Sequence, residues 1–307
     1  MSWGVALRNA VGLGLGGIPS VLNAPPYASL KLNFTEVNAL DPRITFTRAS
    51  SATYFNSAGV LSTAANDVAR FDYDPVTLAA RGLLIEEQRT NSIRNNTMQG
   101  AIVGTPGTLP TNWVRFVAGT AATAVVGVGT EAGINYIDVR FTRANNEGTS
   151  FFIDGLMPAS ASNGQTWTGS AYYRLISGSF SSAAVNHAVY EASSTGSSLA
   201  VTDVSLLGVS NAPLITQRIS CTRTNNDALT AFEQLAIVIA GTGAYDFTLR
   251  IGLPQLELGA FATSVIPTTT TALTRAADVA SMTGANFSDW YNQVEGTTYV
   301  EASTLPS

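Results

Sequence analysis

Asn135-Tyr136-Ile137-Asp138-Val139-Arg140-Phe141-Thr142 alternates apolar and polar side chains step by step, and that period of two decides the fold. A strand turns successive side chains to opposite faces, so Ile137, Val139 and Phe141 share one face and Tyr136, Asp138 and Arg140 take the other. The pattern recurs further along. Within 166–175, Trp167, Ala171, Tyr173 and Leu175 fall together against Thr168, Ser170, Tyr172 and Arg174. Within 245–251, Tyr245, Phe247, Leu249 and Ile251 oppose Asp246, Thr248 and Arg250. Residues 234–240 are almost wholly apolar, as for a strand covered on both sides. Gly, Asn and Ser turns separate these runs at sandwich-like intervals, so residues 95–266 are expected to form one antiparallel β-sandwich, a jelly roll.

Composition agrees with an all-β chain. Of 307 residues only 12% are charged, against about 25% in an ordinary soluble domain. Straight-chain helix formers such as Lys and Glu are scarce, whereas Thr, Val, Ser and Gly are plentiful. The net charge of −5, with no basic stripe, excludes specific nucleic-acid binding and disfavours anionic membrane surfaces. No stretch approaches the roughly 20 apolar residues of a membrane span, so membrane insertion is not expected. The single cysteine, Cys221, has no intramolecular partner and reads as a small buried residue.

Upstream of the sandwich the character changes twice. Residues 1–30 begin MSWGVALRNAVGLGLGGIPSVLNAPP, where Gly12, Gly14, Gly16, Gly17 and Pro19 break any signal-type helix. They read as an extended arm that docks on a partner. Residues 31–94 read as a short β-meander collar. Ala52-Thr-Tyr-Phe55, the turn Asn56-Ser-Ala-Gly59 and Val60-Leu61 make a hairpin; Arg70-Phe-Asp-Tyr73, Asp74-Pro75 and Gly82-Leu-Leu-Ile85 continue it. Residues 267–307 read as a linker and the start of a further strand or domain. Leu273-Thr-Arg-Ala-Ala-Asp278 echoes Phe46-Thr-Arg-Ala-Ser50, a short helix is expected at 286–290 with Asn286 or Ser288 as cap, and a strand at 296–302.

Several of these blocks, taken together, resemble a module of phage and prophage tail fibre and spike proteins. They are Arg43-Ile-Thr-Phe-Thr-Arg-Ala-Ser-Ser-Ala-Thr-Tyr-Phe55, Arg70-Phe-Asp-Tyr-Asp-Pro75 and Arg81-Gly-Leu-Leu-Ile-Glu-Glu-Gln-Arg-Thr-Asn91. Leu253-Pro-Gln-Leu-Glu-Leu-Gly-Ala-Phe-Ala-Thr-Ser264 and Thr274-Arg-Ala-Ala-Asp278 extend the likeness, which covers about residues 31–302. The resemblance implies a central jelly roll like a carbohydrate-binding module and a place in the virion, on tail, baseplate or capsid. In many relatives a concanavalin-like lectin domain follows a segment like Glu295-Gly-Thr-Thr-Tyr-Val-Glu-Ala302; none follows here before Ser307. A homo-oligomer, a trimer above all, would cover exposed strand edges.

Enzyme chemistry is weakly represented. The one histidine, His187, shares a strand face with Val185 and Val189 and reads as a packing residue. Zinc ligation by His and Cys is excluded by count, and no cofactor or metal is expected. The spaced glycines of 12–17 lack the preceding strand and following helix of a dinucleotide site. Glycoside hydrolysis needs only two carboxylates, so a capsule depolymerase is the alternative reading, with Glu86, Glu87, Asp138, Glu191 and Asp246 as candidates. Glu86 and Glu87 would point to opposite faces of a strand and are expected to pair with Arg81 and Arg89 in a subunit interface. No catalytic residue is assigned, and the chain is expected not to be an enzyme.

Sugar recognition has the clearer physical basis. Sugars present apolar C–H faces ringed by hydroxyls, so their sites combine aromatic rings with planar hydrogen-bonding groups. Tyr136, Asp138, Arg140, Tyr172, Arg174, Asp246 and Arg250 are expected to converge on one wet face of the jelly roll. Trp113, in a loop after Pro110-Thr-Asn112, is expected to be exposed beside them. The competing reading is a solvated surface of cross-strand Asp–Arg pairs.

Overall fold

A computed structural model of the chain describes residues 28–117, 121–144, 148–155, 158–181, 183–241 and 243–303. The expected docking arm therefore lies outside the described residues as far as position 27. Strands run in chain order as β1 (Thr45–Thr47), β2 (Ala52–Phe55), β3 (Leu61–Ala64), β4 (Arg70–Tyr73), β5 (Ala80–Leu84) and β6 (Arg89–Asn91). Then come β7 (Val114–Val117), β8 (Ala122–Glu131), β9 (Ile134–Arg143), β10 (Thr149–Ile153), β11 (Ala159–Ser160), β12 (Thr166–Gly178) and β13 (Ala184–Ala192). The series closes with β14 (Ser198–Ser205), β15 (Arg218–Thr224), β16 (Phe232–Ala240), β17 (Tyr245–Leu258), β18 (Leu273–Arg275) and β19 (Val279–Ser281). A 3-10 turn at Leu214–Thr216 and one helix, α1 (Ala285–Ser288), complete the inventory among the described residues.

The described residues divide into two compact units, one of residues 28–88 with 275–303, the other of residues 89–274. Of the stretch expected as a linker, 267–307, residues up to Thr274 stay with the sandwich and residues 275–303 join the first unit. In that first unit the expected hairpins are present, β2 against β3 and β4 against β5. Asn56 closes the first turn, its Oδ1 accepting from the Ala58 and Val60 amides at 2.9 and 3.1 Å. The echo of Phe46–Ser50 in Leu273–Asp278 acquires a meaning that differs from two strands in like places. Strand β1 pairs with β19, and the two echoing arginines, Arg48 and Arg275, feed one buried ionic cluster.

That cluster joins Arg48 to Asp278 at 3.0 Å, Arg70 to Glu86 at 2.8 Å and Arg275 to Glu86 at 3.0 Å, with Arg70 also on Asp278. Removing such charges from water costs several kcal/mol per ion, a cost offset only by close pairing and further hydrogen bonds. The Glu86 amide supplies one, donating to Asp278 Oδ2 at 2.9 Å. The sequence expectation for Glu86 is corrected here: its partners are Arg70 and Arg275, and Arg81 turns to Asp72 and Asp74. Two further corrections concern the C-terminal segment. Helix α1 starts one residue before the expected helix and has Gly284 at its N-cap with no side-chain cap, and residues 296–300 form no strand.

The second unit is the expected antiparallel β-sandwich of jelly-roll type. One sheet has the order β14-β13-β16-β10-β7, with β11 beside β16; the other runs β15-β12-β17-β9-β8. Between them lies the core that the alternation predicts: Ile137, Val139 and Phe141 of β9, Trp167, Ala171 and Tyr173 of β12, and Tyr245, Phe247, Leu249 and Ile251 of β17. They meet Phe151 and Ile153 of β10, Val185 and Val189 of β13, and Leu235, Ile237 and Ile239 of β16. The Phe141 ring stands 5.7 Å from Phe151 and 5.5 Å from Phe247, and burying each such ring contributes about 2–3 kcal/mol. Cys221 is buried as expected, its thiol pushed up to about 11 by burial. His187 sits wholly inside, with Tyr173 Oη 2.6 Å from its Nδ1, and burial pushes its imidazole down to about 4.

Candidate functional site

Strands β12, β17 and β9 are neighbours, so the residues expected to converge do so. Across the sheet Arg174 pairs with Arg250, Arg250 with Asp138, and Thr248 with Arg140, while Gly252 lies between Tyr172 and Tyr136. Arg250 is the centre of the face. Its Nε and Nη2 donate to Asp138 at 2.8 and 2.9 Å, its Nη1 donates to Glu131, and its guanidinium carbon stands 3.4 Å from the Tyr136 ring centroid. Arg174 donates to Glu131 at 3.0 Å and to the Asn211 carbonyl at 3.0 Å. Burial alone would raise the Glu131 carboxyl, but the Leu214 amide and the two guanidiniums outweigh it and hold it below the usual range. Gly127 and Gly129 of β8 make room for this packing. A Cβ on Gly127 would stand 2.6 Å from Asp138 Oδ2, and one on Gly129 2.8 Å from Tyr136 Oη.

Three expected members of this face are placed differently, among them Asp138, 7% exposed and buried against Arg250. Tyr172 is only 3% exposed: the 3-10 turn lies over the sheet, and a Cβ on neighbouring Gly252 would stand 3.1 Å from Leu214 Cδ2 and 3.3 Å from Tyr172 Cβ. Trp113 is 6% exposed and belongs to the core, its ring edge-on to Phe151 at 6.0 Å and its indole N–H donating to the Arg94 carbonyl at 3.3 Å. The loop that suggested exposure folds its one large apolar side chain inward. Arg140 and Asp246 remain in water, joined to each other by two hydrogen bonds of 2.8 and 2.6 Å. On this face, then, charges are matched to charges.

The opposite outer face, on the six-stranded sheet, is built otherwise. Because Phe151 and Ile153 point into the core, Ser150 and Phe152 point out. By the same count β16 turns out Phe232, Gln234, Ala236 and Val238, and β13 turns out Asn186, Ala188 and Tyr190. Phe116 of β7 is opposite Ser150, and Val201 and Asp203 of β14 are opposite Tyr190 and Ala188. A row of rings results. Phe116 meets Phe152 edge-on at 5.6 Å, and Phe152 meets Tyr190 at 5.8 Å. Phe152 and Tyr190 belong to β10 and β13, which flank β16, so their rings lean together above it. Ala236 and Ala188 form the floor, each 0% exposed although on the outer side. Phe116 is 46% exposed, and Phe152 and Tyr190 are half-buried.

Hydrogen-bonding groups border the rings. Asn186 donates to Asp203 at 2.8 Å, and Ser150 lies between Phe116 and Val238 in register, whereas Gln234, donating to the Gly196 carbonyl at 3.3 Å, is buried. Burial, with the Asp203 carboxylate second, raises the Tyr190 phenol, so its O–H stays a donor at neutral pH. The sequence reading passed over this face. The signal available was Phe151-Phe152: two adjacent aromatics in a strand cannot both enter one core.

One carboxylate pair has the split proton affinities that acid–base chemistry uses. Glu191 and Glu233 are directly opposite on β13 and β16. Burial, with Glu191 adding to it, pushes Glu233 up to about 8 against an opposing hydrogen bond from Asn225. For Glu191 burial is outweighed by the Thr230 hydroxyl, Arg223 and the Asp227 amide, which hold it low. Both are 0% exposed.

No family profile and no curated protein matches the chain. Solved structures that are similar include a carbohydrate-binding module of the β-sandwich superfamily, 12% identical over 64% of this chain and 77% of that one, with a TM-score of 0.39. A CBM4 module is 16% identical over 54% and 99%, with a TM-score of 0.33. The enzymatically active domain of tailspike protein 4 of bacteriophage CBA120 is 9% identical over 48% and 20%, with a TM-score of 0.30. An α-L-arabinofuranosidase, MgGH51, is 16% identical over 58% of this chain, which spans 27% of that enzyme's length, with a TM-score of 0.38. At these identities the likeness is one of sandwich and not of chemistry.

Proposed function

We propose that this chain is a structural virion protein that faces host-surface glycan through its jelly roll, using the outer face of the six-stranded sheet. The observation that carries the glycan reading is the row Phe116–Phe152–Tyr190, open to solvent above an alanine floor and bordered by amide, hydroxyl and carboxylate groups. Rings of this kind offer apolar surface to sugar C–H groups while the border meets the hydroxyls. The self-compensated charges of the opposite face have less to give a neutral ligand, since each guanidinium there already serves a carboxylate. The virion half of the reading rests on the resemblance of the blocks at 43–55, 70–75, 81–91 and 253–264 to tail fibre and spike modules. In this reading the chain is a homo-oligomer, a trimer by preference, mounted on tail, baseplate or capsid through residues 1–30, and it binds without cleaving.

Titration of the purified protein against host capsule and surface polysaccharides tests the reading. Phe152→Ala and Tyr190→Ala should weaken binding about tenfold each, and Arg174→Ala should leave it unchanged. Binding that survives both ring deletions refutes the proposed face. Release of reducing ends from the same polysaccharides would replace binding by cleavage. Deletion of residues 1–26 should leave the oligomer intact and abolish incorporation into particles.

A further inference from the structure

Resting on that reading, we infer that the ligand of the six-stranded face is a chain of uncharged sugar residues laid across the strands, several units long, and not an acidic polysaccharide or a single terminal sugar. Two observations carry this, the charge of the face and its length.

Charge comes first. The outward residues are Phe116 on β7, Ser150 and Phe152 on β10, Phe232, Gln234, Ala236 and Val238 on β16, Asn186, Ala188 and Tyr190 on β13, and Val201, Asp203 and Ser205 on β14. These strands turn no arginine or lysine to that side. The one charge among them is the exposed carboxylate of Asp203, held by Asn186 at 2.8 Å. Recognition of uronate or sialate carboxylates calls for guanidinium or ammonium donors, which form the strong charge-assisted bonds. Here an anionic chain would meet a like charge and no compensating cation. The contrast within the molecule is direct, since the other sheet turns Arg140, Arg174 and Arg250 outward and spends them on Asp246, Glu131 and Asp138.

Length follows from the register. Phe116, Phe152 and Tyr190 stand on β7, β10 and β13, and Val201, 46% exposed, continues the line on β14. The line crosses five strands in the order β14-β13-β16-β10-β7. Four inter-strand spacings of about 4.8 Å make a track of roughly 19 Å, the length of several sugar rings end to end. The rings are not coplanar: Phe116 and Phe152 are inclined at 88°, Phe152 and Tyr190 at 49°. Successive sugars of a twisted chain present differently inclined faces, which a set of tilted rings can meet in turn.

The test uses the full chain on a panel of immobilised linear polysaccharides, neutral (β-glucans, xylans, mannans, galactans) and acidic (polygalacturonate, alginate, hyaluronate, polysialate), followed by titration with oligosaccharides of the best binder. Neutral polymers should bind, affinity should climb with chain length up to about four sugars, and Phe152→Ala should lower it about tenfold. Asp203→Asn should raise retention of acidic polymers severalfold. Acidic polymers bound more tightly than neutral ones, still weakened in Phe152→Ala, would overturn the ligand class and leave the glycan-binding face standing. A monosaccharide bound as tightly as its oligomers would overturn the track. No binding to any polymer would overturn the function and this inference together.

Discussion

On the five-stranded sheet, β9 and β17 turn Asp138 and Arg250 toward one another; on the six-stranded sheet, β10 and β13 turn Phe152 and Tyr190 toward one another. Both faces follow the same alternation and flank the same core. The difference lies in what the partners leave over. An arginine whose Nε, Nη1 and Nη2 already donate to Asp138 and Glu131, with a tyrosine ring on its guanidinium, has little capacity left for a ligand. Two half-buried rings that meet at an angle keep apolar surface in water, where covering it is favourable. Charge on a strand thus marks internal satisfaction here, and exposed rings mark unfilled capacity.

The largest effect expected from breaking this contrast is on stability. Arg250→Met removes the shared partner of Glu131 and Asp138 and leaves two carboxylates close together at low exposure. Breaking a largely buried ion pair on one side costs about 3 kcal/mol, which urea unfolding would register as a lower midpoint at unchanged slope. Glycan affinity of the folded variant should stay within twofold. A folded Arg250→Met protein that has lost its glycan would exchange the roles of the two faces.

The converse comes next in size. Phe152→Ala should lower glycan affinity about tenfold, equivalent to about 1.4 kcal/mol, at a smaller cost to stability than Arg250→Met because the ring is only half-buried. Ala236→Leu sharpens the comparison. It deletes no ring but drives a larger side chain up between Phe152 and Tyr190, so it should weaken glycan binding while both rings remain. Calorimetric titration of the two variants side by side reads both outcomes.

These two faces differ also in how much of them a reader of the sequence sees. Period-two alternation is local, which is why Ile137, Val139, Phe141, Tyr173 and Phe247 are legible as core, and with them the all-β sandwich. What covers an outward residue is not local. Tyr172 reads as surface until the turn at Leu214–Thr216 folds back over it. Trp113 reads as a loop residue until Phe151 receives it, and Glu86 reads as a partner for its neighbours until Arg70 and Arg275 arrive from elsewhere. The aromatic row was hidden for the same reason. Phe116, Phe152 and Tyr190 belong to three separate strands, and only the sheet order aligns them.

A smaller effect separates stability from binding by pH. Glu233 holds its proton up to about 8 in the folded chain, against an ordinary value of 4.5, so its contribution to stability is present at low pH and fades as pH rises from about 4.5 through 8. His187 works in the other sense. Its imidazole falls from 6.5 to about 4 on folding, so stability is lost as pH drops from about 6.5 through 4. Between about 4.5 and 6.5 the two slopes oppose; from 6.5 to 8 only Glu233 of the two acts, and its contribution to stability should decline. Glu233→Gln should flatten that decline in thermal melts. Glycan binding, carried by rings, should stay level over the same window, and a parallel fall would tie binding to the interior and not to the face.

The smallest expected effect is the most direct check on reading charge as function. Arg140 and Asp246 are both more than half exposed and hold each other by two hydrogen bonds, with each group's proton affinity shifted in favour of its charged form. In water such a pair gains little, because solvent screens it and ordering two side chains opposes it. Arg140→Ala should therefore leave the melting temperature within measurement scatter and glycan affinity within twofold, even though this pair is the most accessible charge on the sandwich that the sequence pointed to. Raising the salt concentration should change neither quantity in the parent protein. Affinity that drops on Arg140→Ala, or that fades with salt, would mean that the ligand carries charge and sits on the five-stranded sheet, and the aromatic row would then be surface to be covered by something other than sugar.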